Sequence, residues 1–385
     1  MIYRPFGKTD LELSQLGFGC MRFPLLNSND PTSIDEPEAI RMLHYAIDNG
    51  INYLDTAWPY HRETSEKFVG RALREGYREK VYLATKMPMW LINNKEDLQK
   101  YFDEQLRRLQ TDIIDMYHLH SLDKISWKTV KAHDVLRFLD KILEDGKIRY
   151  AGFSFHDELP LFKEIVDSYP WTFCLIHLNY VDDDFQAGIK GLEYAYKRGL
   201  AIIIMEPLRG GKLAQKVPEE ILKIIKRTKR EQTPAQFALR WLYNREEVNC
   251  VLSGMSTIEQ VKENIEFASE EHRNMLSAAE LQFYAKAKEL FRSRIKVNCT
   301  QCGYCMPCPQ KIPISFILEL YNDAYMYNAI DDSQRAYRVF IKPENRADRC
   351  TACAECEDKC PQKVPIAEYM KKADEVLGKA KGVKV

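Results

Sequence analysis

The sequence has no excess of charge of either sign. Lys plus Arg and Asp plus Glu each total 56 in 385 residues. A chain this balanced carries no electrostatic footprint for nucleic acid or an anionic membrane surface, so neither is an expected partner and the expected ligand is small. It has no apolar run approaching the roughly 18 residues of a membrane span. Its first residues, MIYRPFGKTDLEL, are charged where an export signal would be apolar, so a cytoplasmic location is expected. Cysteine is scarce over the first three quarters of the chain, where only Cys20, Cys174 and Cys250 occur. Isolated cysteines of that kind are by default buried hydrophobes. The length allows one large domain and a smaller one.

What the first three quarters do contain is alternation. Short runs rich in Val, Ile, Leu and Tyr recur, each followed by a charged amphipathic stretch: LGFGC then PEAIRMLHYAIDNG, INYLD then TSEKFVGRALREG, VYLATK then KEDLQKYFDEQLRRL. DIIDMYHLH, IRYAGFSF, TFCLIHLNY, LAIIIME and NCVLSG continue the series, which makes eight strand-helix units between about Leu16 and Ala268. Gly50, Gly76, Gly146 and Gly199 sit where four of the helices must stop. Eight units predict an α/β chain built on a (β/α)8 barrel, because a doubly wound open sheet more often stops at five or six strands. The GxGxxG loop of a Rossmann fold is also missing.

Barrel enzymes place their chemistry at the carboxyl ends of the strands. Here those ends read DTAWPY, LATK and MYHLH, which puts Asp55, Tyr60, Lys86 and His120 around one rim. Singly, each reads as a turn residue, a solvated cation or a packed ring; together, in NYLDTAWPY, YLATK and DIIDMYHLH, they resemble the tetrad of the aldo-keto reductase family, which implies reduction of a carbonyl. Hydride addition leaves negative charge on oxygen, and Tyr60 can supply the proton. A free phenol has a pKa near 10, which a close Lys86 ammonium is expected to lower, with Asp55 holding Lys86 charged and His120 as second donor to the oxygen. His118 shares strand parity with His120 and is expected to face inward too. Met21, Arg22, Phe23, Trp58, Met87, Met89 and Trp90 are candidates to line an apolar or aromatic pocket.

Eight of the eleven cysteines follow residue 298, in two runs that nearly repeat: CTQCGYCMPCPQKIPI from Cys299 and CTACAECEDKCPQKVPI from Cys350. In a reducing compartment such clustering argues for metal ligation over disulfides. Three thiolates at x2 spacing suit one corner of a cubane, and a fourth Cys before Pro typically ligates the other cluster of a two-cluster ferredoxin. Cys299, Cys302, Cys305 and Cys360 are therefore expected to hold one [4Fe-4S] cluster, and Cys350, Cys353, Cys356 and Cys308 a second. The gap before Cys308 is one residue shorter than the gap before Cys360. The intervening ISFILELYNDAYMYNAIDDSQRAYRVFI reads as helices, so this part looks like the helical ferredoxin type. A pair of zinc sites is the alternative, disfavoured by four closely packed cysteines followed by Pro.

NYLDTAWPY, YLATK and DIIDMYHLH, with RPFGKTDLELSQLGFG, GFSFH, MEPLRGGKL and VKEN in order around them, resemble the aldo-keto reductase family over about three quarters of the chain. The resemblance implies the barrel and makes Asp55, Tyr60, Lys86 and His120 the tetrad, His120 being chosen because the family's Asp-x-Tyr-x-x-His starts at Asp115. It implies NADP(H), with NAD(H) the alternative. The cofactor set is Gly19, Cys20, Met21, Asp55, Ser154, Met205, Glu206, Pro207, Leu208, Gly210, Gly211, Lys212, Gln260, Glu263 and Asn264. Gly210 and Gly211 would let backbone approach a pyrophosphate, with Arg209 or Lys212 balancing its charge. The chain departs from the family at Phe155, Leu175 and Gln260. The expected organisation is a barrel over 1–280, a helical linker over 281–297 and a two-cluster domain over 298–385. A ferredoxin-like electron carrier is the alternative partner to a small carbonyl or alcohol.

Overall fold

The apolar runs become strands because they are buried on both faces, as parallel strands under a helical coat must be. In the computed structural model, which describes every residue except 29, 216, 229, 300, 302 and 380–385, β1 (Tyr3–Pro5) and β2 (Glu12–Ser14) form an antiparallel hairpin. Eight further strands follow: β3 (Leu16–Gly19), β4 (Tyr53–Asp55), β5 (Tyr82–Met87), β6 (Ile114–Leu122), β7 (Ile148–Phe155), β8 (Phe173–His177), β9 (Ala201–Met205) and β10 (Cys250–Ser253). They close into a parallel barrel in which β10 pairs with both β9 and β3. Every strand expected from the alternation is present. The helix-stopping glycines Gly50, Gly76, Gly146 and Gly199 all have positive φ, between 66° and 96°, as a left-handed C-terminal stop requires.

Nothing in the alternation marks the N-terminal hairpin. Phe6, Leu11 and Leu13 pack with Tyr53, Phe173, Ala201 and Ile203 in the barrel interior, so the hairpin plugs the end opposite the strand carboxyl termini. Arg4 fixes it there, donating to the carbonyls of Tyr243, Arg245 and Val248 at 2.5, 2.9 and 2.7 Å and to Gln15 Oε1 at 3.1 Å.

The chain divides into two compact units. The first comprises 1–210 and 235–277, and the second takes 211–234 together with the described residues from 278 onward. The second unit is helical, with Glu219–Arg227, Ala278–Ser293, Ile314–Met326, Ile330–Phe340 and Ile366–Leu377 as its longer helices. Its core joins Val297, Ile312, Ile317, Leu318, Tyr337, Ile366, Met370 and Leu377, against which six of the C-terminal cysteines pack. Among the described residues no helix is long and apolar enough to cross a membrane.

Candidate active site and cysteine-lined cavities

Strand parity and register assemble the rim. Asp55 is the last residue of β4, Lys86 lies on β5 opposite His118 of β6, and His120 follows two residues later on the same face. The buried Lys86 ammonium donates to Asp55 Oδ1 at 2.5 Å, to the Thr56 carbonyl at 2.8 Å and to the Tyr60 hydroxyl at 3.5 Å. The Tyr60 and His120 rings meet edge to face, 6.3 Å between centroids. Asp55, Tyr60, Lys86 and His120 thus come together as expected.

Burial dominates the electrostatics of this centre. It pushes the Asp55 carboxyl up, opposed by Lys86. Lys86 is drawn down by its burial, yet ends above the usual lysine value because Asp55 and Tyr60 outweigh it. Tyr60 also ends above the usual phenol value, since desolvation exceeds the downward pull of Lys86. The acidified phenol expected from the sequence is not found: the cation is in place, but the dry surroundings win. Burial, then the Lys86 charge, hold His120 well below the usual imidazole value, so it is neutral, with Nδ1 buried and unpartnered.

The segment carrying Tyr60 is clamped from behind. His61, Arg62 and Glu63 all have positive φ, a run that costs of order 1–3 kcal/mol per residue unless its surroundings fix it. His61 ties the turn to the loop after β3, accepting at Nε2 from the Phe23 N–H and pairing through Nδ1 with the Pro31 carbonyl. Glu66, fully buried, accepts from Thr85, Gln105 and Arg108. The Arg108 guanidinium lies 3.5 Å from the centre of the Trp58 ring. Trp58 is therefore packing, and so are Phe23, Met87 and Met89, each 6 % exposed or less. Of the seven pocket candidates only Met21, Arg22 and Trp90 are exposed, Trp90 lying over His120 at 5.1 Å.

Of the expected cofactor residues, those at the ends of β9, β10 and β3 fall on one arc, because these strands are neighbours in the barrel, whereas Ser154 lies on β7 and Gly211 and Lys212 belong to the second unit. Gly19 approaches the Ser253 carbonyl, and the loop after β9 runs through positive φ at Glu206, Arg209, Gly210 and Gly211. Several members already have other partners. Ser154 Oγ accepts from the Ser121 N–H at 2.7 Å, Asn264 is buried and donates to Ser253 Oγ, and Gln260 accepts from the Ser256 N–H. Cys20 is a wholly buried thiol. Arg209 pairs with the half-buried Asp182 at 2.5 Å, and Lys212 pairs with Asp323 inside the second unit. The sequence reading assigned Arg22 to the pocket. Its guanidinium instead lies 2.9 Å from where a Cβ of Gly210 would stand, and its stem 3.0 Å from that point on Gly254. Ser256 Oγ donates to its carbonyl at 2.8 Å.

In the second unit the cysteines line two cavities. One has Cys308, Cys350, Cys353 and Cys356 on its wall. The other has Cys299 and Cys360, and Cys305 borders both. Cys302 lies outside the described residues. Among those described, no three His, Cys, Asp or Glu side chains converge closely enough to hold a single metal ion. The residues between the thiols, Gln301, Gly303, Ala352 and Ala354, all have positive φ, the backbone habit of concave amide nests that receive anionic groups such as Fe–S clusters.

Comparison with known proteins agrees with both parts. A family model described as the aldo/keto reductase family matches residues 15–279, and one described as a 4Fe-4S dicluster domain matches 298–364. L-galactose dehydrogenase of Arabidopsis thaliana is 30% identical over 295 residues, covering 69% of this chain and 88% of that protein. A probable aldo-keto reductase 1 of Glycine max is 28% identical over 295 residues, covering 67% and 82%. Among solved structures, the holo form of aldo-keto reductase AKR11C1 from Bacillus halodurans superposes with a TM-score of 0.60 at 29% identity, covering 74% of this chain and 96% of that one. With the family model spanning more than half of its length and the closed barrel in place, the chain belongs to the aldo-keto reductase family, and it carries a 4Fe-4S-type domain after the barrel.

Proposed function

We propose that the barrel reduces an aldehyde or ketone to an alcohol with NAD(P)H, NADPH being preferred, and that Tyr60 supplies the proton. The observation that carries this reading is the chain from buried Asp55 and Lys86 to half-buried Tyr60, beside a neutral His120 at the carboxyl ends of the strands. The chemistry a bound nicotinamide supplies is hydride. Tyr60 and His120 donate to the carbonyl oxygen as charge develops on it, and Lys86 stabilises the phenolate left when the Tyr60 proton moves. The raised Tyr60 pKa keeps the proton on the phenol until then. Gly210, Gly254 and Arg22 form the part of the arc that suits a pyrophosphate, Arg22 in place of the expected Arg209 and Lys212. The exposed Met21 and Trp90 suit an apolar or aromatic carbonyl. A screen of carbonyls and alcohols with each nicotinamide tests the reading; no turnover with either cofactor would sink it.

In the second unit the proposal is two [4Fe-4S] clusters with crossed ligands: Cys299, Cys302, Cys305 and Cys360 for one, Cys308, Cys350, Cys353 and Cys356 for the other. The cavity walls and the amide nests support it. A second reading, electron exchange with a ferredoxin-like carrier, draws on the exposure of Cys353 at the cavity it lines. Dithionite-reduced protein that reduces NADP⁺ would favour it, and protein that stays reduced without turnover would not.

A further inference from the structure

One layer below the tetrad, the barrel holds two polar groups that proton transfer from Tyr60 does not use. Tyr53 precedes Asp55 by two residues on β4, and His118 precedes His120 by two on β6, so both point into the barrel. Both are wholly buried. Here the interior is otherwise apolar, with Phe173, Leu175 and Cys250 beside Tyr53 and the Phe173 ring against His118 at 4.6 Å. A phenol and an imidazole in such a place cost free energy unless they are bonded.

Their partners are each other and one oxygen of Asp55. The Tyr53 hydroxyl lies 3.3 Å from Asp55 Oδ2 and 3.3 Å from His118 Nε2, and that Nε2 stands 3.6 Å from Asp55 Oδ2. Lys86 occupies the other oxygen, Oδ1. The carboxylate is therefore held on one side by the tetrad and on the other by the Tyr53 hydroxyl, which His118 Nε2 meets in turn. We propose that Tyr53 and His118 are positioning residues, Tyr53 donating to Asp55 Oδ2 and His118 fixing the Tyr53 hydroxyl, that keep the Asp55–Lys86 pair charge-separated, with Lys86 available as a cation beneath Tyr60. This rests on the reading of Tyr60 as proton donor.

The physical need is clear from the surroundings. Burial pushes the Asp55 carboxyl toward its neutral form, which would take the Lys86 proton and leave an amine under Tyr60. The other titratable groups facing Asp55 do not oppose this. Cys20 and Cys250 are buried thiols whose pKa values are raised by desolvation, and Tyr53 is raised for the same reason, so all three are neutral. His118 is lowered by its burial and then by Lys86, so it is neutral as well. A neutral donor, oriented by a second neutral group, can stabilise a carboxylate without adding a second buried charge.

The test is Tyr53→Phe, which removes one oxygen and preserves shape, alongside His118→Leu and His118→Gln, read by single-turnover reduction of 4-nitrobenzaldehyde with NADPH across pH. Loss of donors to Asp55 raises its pKa, so the acid limb moves up. An upward move of the acid limb by about one unit is expected for Tyr53→Phe, and a larger one for His118→Leu than for His118→Gln, whose amide restores a donor. A lower plateau with unmoved limbs marks a packing role only and overturns the proposal. A second readout needs no substrate: tyrosinate absorbance, taken as the difference from a Tyr60→Phe background, should show Tyr60 ionising at higher pH in Tyr53→Phe. Unchanged ionisation also overturns it. If Tyr60→Phe itself turns over at the wild-type rate, the donor reading falls, a result separable from either of these.

Discussion

Tyr60 is pulled in opposite directions, upward by its dry site and downward by Lys86. A donor with its pKa above the working pH holds its proton through substrate binding and releases it only as the oxygen becomes basic. Tyr60→Phe should therefore lower kcat by about 10²–10⁴-fold while leaving the NADPH dissociation constant unchanged by fluorescence titration; weakened cofactor binding would count against the assignment. Arg22 makes the complementary case. No ion pair holds its guanidinium among the described residues, and it lies against the glycines of two adjacent loops. Arg22→Ala should weaken NADPH binding about tenfold or more, with Arg22→Lys recovering part of it, and an unchanged dissociation constant would remove Arg22 from the site. At this scale the motifs made the tetrad legible, because parity within a strand is local. Parity also turned His118 inward, but its pairing with Tyr53 and the placement of Arg22 were not legible, since such contacts join residues far apart in sequence, Tyr53 and His118 being 65 positions apart. Nor could spacing show that burial would outweigh Lys86 at Tyr60.

Among elements, the barrel strands were legible because burial on both faces writes itself as unbroken Val, Ile and Leu, as in β9. The hairpin of β1 and β2 was not, because three-residue strands leave no periodicity to read. A buried cation helps to hold it. Arg4 supplies the partners of three backbone carbonyls, and its burial draws its pKa down to about 10, still fully charged at neutral pH. Arg4→Met fills the space but strands those carbonyls, so it should destabilise the barrel by about 3 kcal/mol or more, measured by urea denaturation. Unchanged stability would mean that water replaces the guanidinium. The cysteine runs show the opposite kind of legibility: the sequence repeat reappears as a repeat of backbone conformation. Positive φ recurs at Gln301 and Ala352, at Gly303 and Ala354, and at Lys311 and Lys363. The helices beginning at Ile314 and Ile366 then start from equivalent prolines, Pro313 and Pro365.

For the whole molecule, the order of barrel then cysteine-bearing helices was readable, whereas the grouping of 211–234 with the helical unit was not, since it depends on packing between segments far apart in sequence. The crossing of ligands is likewise a long-range property. The spacing rule suggested it, and the shortened gap before Cys308 set it against an uncrossed pairing within each run. The cavity walls bear on that choice, because Cys308 borders the space shared by Cys350, Cys353 and Cys356, while Cys360 borders the space of Cys299. A double variant separates the two arrangements. Cys353→Ser with Cys360→Ser removes two ligands from one cluster if each run serves itself, leaving the other cluster whole. With crossed ligation the same pair removes one ligand from each cluster, so neither is complete. After anaerobic reconstitution, iron and sulfide should fall in both sites, and the reduced protein should lack the electron paramagnetic resonance signal of an intact [4Fe-4S]⁺ centre. One full cluster retained per chain would show instead that the runs are independent. Cys299→Ser with Cys305→Ser is the matched control, taking two ligands from a single crossed cluster and sparing the other.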